Sequence, residues 1–75
     1  MITGGAVKRS VRIAGHPTSV SLEPEFWAAV KKIAAASGRS INDLVTEIDR
    51  TRTTNLSSAL RVYVLRWMQD GERRT

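Results

Sequence analysis

The chain has no cysteine. Disulfides and thiolate metal sites are therefore excluded as sources of stability. It has one histidine, His16. A metal site would have to be built from carboxylates, and a serine nucleophile would have no well-placed base, because His16 precedes a proline. Gly4-Gly5 lacks the Gly-Lys-Ser/Thr that completes a phosphate loop. No apolar run approaches the ~20 residues of a membrane span. Met1 to Arg12 carries basic residues with no apolar stretch after them, so no secretory signal is expected. A bacterial-type cytoplasmic protein is the expectation, and without a secretory signal the sequon Asn55-Leu56-Ser57 carries no meaning. With 75 residues there is one small domain and little room for a water-excluded pocket. An enzyme is not expected, and neither a cofactor nor a metal is implied. With disulfides and metals gone, oligomerisation is the remaining aid to a thin core.

Acids are scarce relative to bases. Lysine plus arginine number 12 against 7 acids, giving +5 and a pI near 10.8. Such a balance favours a polyanionic partner, either nucleic acid or an anionic surface.

One stretch stands apart from the helical periodicity elsewhere. In Thr18-Ser19-Val20-Ser21-Leu22, apolar and polar residues alternate, the pattern of a strand with one dry face and one wet face. The strand runs over 17–22. Val20 and Leu22 share one face, and Ser19 and Ser21 share the other with Pro17. A lone strand leaves its backbone groups unpaired and is not a stable structure. If the chain offers no second good strand, the partner is the same strand from another copy. Residues 1–16 read as a flexible basic arm containing two adjacent glycines, with Lys8, Arg9 and Arg12 just ahead of the strand. Such an arm suits phosphates or a minor groove. Ser10 to Ile13 alternates weakly, as a short strand extension would, and Ala14-Gly15-His16-Pro17 breaks it.

Three helices follow. Pro24 fits a first helical position, and Glu23 and Glu25 suit the positive end of the dipole. Phe26, Trp27, Val30, Ile33 and Ala34 form one apolar arc, and Gly38 ends the helix near residue 37. Ser40 caps the next helix with Asp43 three residues on; Ile41, Leu44, Val45 and Ile48 make its stripe. Arg50 to Thr54 reads as a loop. Asn55 or Ser57 caps the third helix, in which Leu56, Ala59, Leu60, Tyr63, Val64, Trp67 and Met68 share a wide face. Val62 and Leu65 lie nearly opposite, which points to a contact with another subunit. Residues 70–75 read as a frayed tail.

Two alternating strands paired antiparallel form a ribbon, and a two-stranded ribbon fits the major groove of B-DNA. The strand, the helix after it, Ser37-Gly38-Arg39-Ser40-Ile41 and the following helix together resemble the ribbon-helix-helix repressors, in a subgroup with an extra C-terminal helix. The similarity runs from about residue 9 to residue 67 and rests on the ordered combination. It implies a mainly α fold with one β-strand per chain: an intertwined homodimer, its ribbon formed between two copies, and a third helix added. The ribbon-helix-helix domain would be residues 17–69. The resemblance implies double-stranded DNA as partner, with Pro17, Ser19 and Ser21 facing the bases. Gly38, Arg39, Ser40 and Ile41 would hold a phosphate at the second helix's N-terminus. Val20, Leu22, Phe26 and Trp27 would form the dimer core, and the third helix would offer a route to a higher oligomer.

One feature departs from the family pattern. Such ribbons often carry Arg, Lys, Asn or Gln outward, whereas serine discriminates bases poorly. Reading would then fall to Lys8, Arg9 and Arg12, or to Thr18 after a register shift. The alternative is an oligomerisation or antitoxin-like partner-binding module with weak DNA association. A second ambiguity is that Asn55 to Arg61 also resembles the start of the second helix in simpler family members.

Overall fold

The computed structural model describes residues 5–73. Its element order is strand β1 (Val7–Ile13), strand β2 (His16–Leu22), then helices α1 (Pro24–Ala36), α2 (Ile41–Thr51) and α3 (Leu56–Arg73). The fold is mainly helical, with a single two-stranded antiparallel sheet. Residues 1–4 of the expected arm and residues 74–75 of the expected tail lie outside the described residues.

Within the chain β2 pairs with a second strand, where the sequence reading expects one strand per chain. The arm expected at 1–16 supplies it: residues 7–13 are β1, and β1 and β2 pair from Val7↔Leu22 to Ile13↔His16. Ala14 and Gly15 make the connection with φ of 51° and 82°. Positive φ at both positions of a two-residue loop is a type I′ turn, whose twist matches that of paired strands. Gly15 adopts this conformation freely, while Ala14 holds it at a steric cost. The residues read as a strand break are thus the hairpin turn.

The pleat sorts the ribbon into two faces. Val7, Arg9, Val11, Ile13, His16, Thr18, Val20 and Leu22 share one. On it Val11, Val20 and Leu22 are buried, to 4%, 2% and 0% exposure, against this chain's own helices. The helices contribute Val30, Ile33 and Ala34 from α1, Leu44, Val45 and Ile48 from α2, and Leu60 and Val64 from α3. These spacings of three and four residues are the helical stripes of the sequence. Phe26 and Trp27 are half-buried at the rim of this core.

Local signals set the helix ends. Pro24 is at the first turn of α1. Gly38 (φ 68°) follows its C-cap Ser37, with Gly38 N–H donating to Ala35 O (3.1 Å) and Arg39 N–H to Ala34 O (2.9 Å). That pair of bonds is a Schellman motif. Ser40 Oγ accepts the Asp43 N–H at 3.0 Å and caps α2, and Asn55 Oδ1 accepts the Ser58 N–H at 2.9 Å and caps α3. Helix α3 continues through Arg73, so residues 70–73 of the expected tail are helical.

Candidate nucleic-acid interface

The outer face of the ribbon consists of Lys8, Ser10 and Arg12 on β1 and Pro17, Ser19 and Ser21 on β2. All six are exposed. Lys8 stands opposite Ser21, Ser10 opposite Ser19, and Arg12 opposite Pro17. Two cations of the basic arm and the three residues expected to face bases therefore lie on one surface. No acid occurs anywhere in residues 1–22, so the ribbon itself carries positive charge without internal compensation.

Arg9 is sorted the other way. It lies on the inner face opposite Val20, with its guanidinium carbon 5.4 Å from the centre of the Trp27 ring. Its Nε is buried with no hydrogen-bond partner. The ring's negative face partly offsets that burial. Arg9 thus serves the seam between ribbon and α1.

Helix N-termini close the ribbon's edges at diagonally opposite corners. On the β1 edge, the Arg12 N–H donates to Asn42 Oδ1 at 3.0 Å, and Thr46 Oγ1 donates to the Arg12 carbonyl at 3.5 Å. On the β2 edge, the Ser21 N–H donates to Ser57 Oγ at 3.1 Å. Arg61 reaches the Ser21 carbonyl at 3.4 Å and grips the Glu23 carboxylate with Nε at 2.9 Å and Nη2 at 3.3 Å. Its guanidinium also lies over the Phe26 ring at 6.0 Å. The Arg61 hydrogen bonds, and after them one donated by Glu23's own backbone N–H to its carboxylate, hold the Glu23 carboxyl below its ordinary value. Antiparallel pairs alternate between hydrogen-bonded and non-hydrogen-bonded. Arg12 and Ser21 both turn their amides outward, so Arg12↔Pro17, Ser10↔Ser19 and Lys8↔Ser21 are the non-hydrogen-bonded pairs. Pro17 thereby sits where its missing N–H removes no ladder bond.

The phosphate cradle expected at Gly38 to Ile41 is narrower than its four residues. The amides of Gly38 and Arg39 are committed to α1 carbonyls, and the Arg39 guanidinium is paired with Glu47. Ser40 and Ile41 remain at the mouth of α2, in the same turn as Asn42, which contacts β1. Sequence reasoning named Lys8 and Arg12 as residues of a basic arm but missed the strand that carries them. Their alternation with Val7, Val11 and Ile13 was present, but Arg9 interrupts it.

Away from the ribbon, α3 exposes Val62, Leu65 and Met68 at 43%, 55% and 49%. With Phe26, Arg61 and Val64 they line an apolar groove of about 390 Å³. Among the described residues no group of three or more His, Cys, Asp or Glu is placed to hold a metal ion, and no helix is long and apolar enough to cross a membrane.

Residues 6–68 match the family model described as "Ribbon-helix-helix domain". Among solved structures, the chain is similar to an uncharacterized protein from Bordetella pertussis Tohama I. The two share 33% identity with a TM-score of 0.74, over 95% of this chain and 62% of that one. The chain thus spans about 62% of the length of that relative. No curated protein matches the chain.

Proposed function

The chain belongs to the ribbon-helix-helix family, a DNA-binding and dimerising family, and from that premise we propose that it is a cytoplasmic regulator of transcription. It lays the outer face of its ribbon in the major groove and works as a homodimer. The observation that carries this reading is the outer face itself: Lys8 and Arg12 beside Ser10, Pro17, Ser19 and Ser21, with no acid among them. Arginine makes the bidentate base contact that serine lacks, and lysine neutralises phosphate or meets a guanine edge. The caps of α2 and α3 stand at the two edges of the ribbon, where amide groups at helix N-termini suit the phosphates that border a groove. At α2 these are the amides of Ser40 and Ile41. One surface open to a second copy is the apolar face of α3, where Val62, Leu65 and Met68 are exposed.

Fluorescence anisotropy on a random duplex at several salt concentrations tests the reading. Binding is expected near ~50 mM salt, with log K falling linearly against log salt. Lys8→Ala with Arg12→Ala should weaken binding and reduce that slope by about 2, one counterion per lost cation. Absence of binding by the unchanged chain at low salt would refute DNA as the partner. A fall identical for every sequence would leave only non-specific association.

A second reading is a partner-binding module in the manner of an antitoxin. The exposed Val62, Leu65 and Met68, with half-buried Phe26 beside them, favour it, because a contiguous apolar surface on a small chain marks an interface. A chain monomeric at high concentration, whose α3 groove still bound a protein, would support it over the regulator.

A further inference from the structure

We infer that Glu47 sets the strength of the phosphate contact at α2, by holding the Arg39 guanidinium that a phosphate must take from it. The inference rests on the DNA-binding reading and concerns the mouth of α2 within it. Arg39 stands between two fixed backbone points. Its own N–H donates to Ala34 O at 2.9 Å, and its neighbour Ser40 accepts the Asp43 N–H at 3.0 Å as the cap of α2. The backbone of Arg39 is therefore held, and only its side chain can be redirected. That side chain reaches along α2 to the Glu47 carboxylate in the second turn, joining Nη1 to Oε1. Ser40, Asp43 and Glu47 follow one another at three and four residues, so the cap and both acids lie along one side of the helix.

A helix mouth arranged in this way is poorly charged for a polyanion. Arg39 is neutralised by Glu47, and Asp43 adds a further carboxylate in the first turn. The ribbon differs, having no acid in residues 1–22. A phosphate at the amides of Ser40 and Ile41 offers Arg39 a second anion, one that a guanidinium can bind through two parallel hydrogen bonds. Glu47 is exposed and Arg39 only half-buried, so the pair between them is weak and readily exchanged. Arg39 then passes from carboxylate to phosphate, and the complex gives up the pair with Glu47. Glu47 is thus a built-in competitor of phosphate, and it weakens binding to every duplex alike.

A double-mutant cycle read by fluorescence anisotropy tests the exchange, on duplexes of several sequences and with salt varied. Glu47→Gln keeps the length of the side chain and removes its charge. It should tighten binding by about two- to fivefold, as the loss of an exposed ion pair would. Arg39→Ala should weaken binding and lower the salt slope by about 1. In the Arg39→Ala background Glu47→Gln should gain less than about 1.5-fold, because no pair is left to break and the remaining repulsion is screened. Asp70→Asn, near the end of α3, removes one negative charge elsewhere and should also shift binding by less than about 1.5-fold. Circular dichroism establishes that each variant is folded, and Glu47→Ala completes the cycle should the glutamine variant not fold. An unchanged or weaker affinity in folded Glu47→Gln overturns the inference. So does an equal gain in the Arg39→Ala background, or an equal gain from Asp70→Asn, which would leave net charge as the cause. A gain confined to one duplex sequence overturns phosphate as the competitor. Failure of the unchanged chain to bind any duplex refutes the DNA-binding reading itself, whereas binding that ignores Glu47→Gln refutes only the exchange.

Discussion

The two faces of the ribbon use the same pleat and the same pairing for opposite ends. On the inner face Val11, Val20 and Leu22 lose nearly all contact with water. One residue along, Ser10, Ser19 and Ser21 are exposed, with Lys8 and Arg12 beside them. The difference teaches where stability and recognition reside. A hairpin alone is marginal, so the inner face must be sealed by helices before the outer face can be held flat and rigid. Once sealed, the outer face is free of any packing role.

The sharpest way to break this comparison is to place the same residue on each face at adjacent positions. Val20→Asp should unfold the chain, because an unpaired carboxylate buried among Leu22, Val30 and Ile33 costs several kcal/mol, while a core of this size rarely supplies more than about 3–5 kcal/mol. Circular dichroism should show the helices lost. Ser19→Asp, one residue away, should leave the melting behaviour within about 0.5 kcal/mol of the unchanged chain, yet remove DNA binding by setting a negative charge against the phosphates. If Ser19→Asp binds DNA as before, the outer face is not the reading surface.

A smaller effect sharpens the account of how the two faces are formed. Ala14 holds a φ of 51°, a conformation that asparagine tolerates better than alanine. Ala14→Asn should raise stability by roughly 0.5–1 kcal/mol, read as a higher urea midpoint with an unchanged slope. A fall in the midpoint would mean that the strands are joined by another turn.

The smallest effect concerns the anchor between ribbon and α3. Glu23 has its carboxyl held below the ordinary 4.5, first by the Arg61 hydrogen bonds. A depressed carboxyl contributes stability that is whole above that ordinary value and is lost as pH falls through the lowered one. Stability should therefore decline on the acid side of about pH 4.5, and Arg61→Gln should flatten that part of the profile. An unchanged acid limb in the variant would show that the pair contributes nothing to folding.

Much of this was legible locally. The helices, their caps at Ser40 and Asn55 and the left-handed Gly38 follow from signals within a few residues of each other. So does the division of 17–22 into an apolar and a polar face. Strand β1 was harder to read, for a physical reason. Arg9 occupies an inner position where an apolar residue would complete the alternation, and it is tolerated there only because the Trp27 ring, eighteen residues away, lies beneath it. The turn was obscured in the same way, since Ala-Gly is a weak type I′ signal compared with Asn-Gly.

The candidate site divides along the same line. That Pro17, Ser19 and Ser21 share a face is a matter of period two, visible in any strand. That Lys8 and Arg12 join them while Arg9 does not depends on the register of a second strand, and a shift of one residue would reverse the assignment. That the Gly38 and Arg39 amides are committed to α1 depends on how the helix ends.

By itself, the sequence determined the basic charge, the three amphipathic helices, the alternating strand and the family, because each rests on local spacing or on an ordered pattern. Only the tertiary structure decided which strand pairs with β2, which cations reach the outer face and how the edges are closed. Those depend on contacts between residues thirty to forty positions apart, such as Arg12 with Asn42 and Ser21 with Arg61, whose meeting no local pattern encodes.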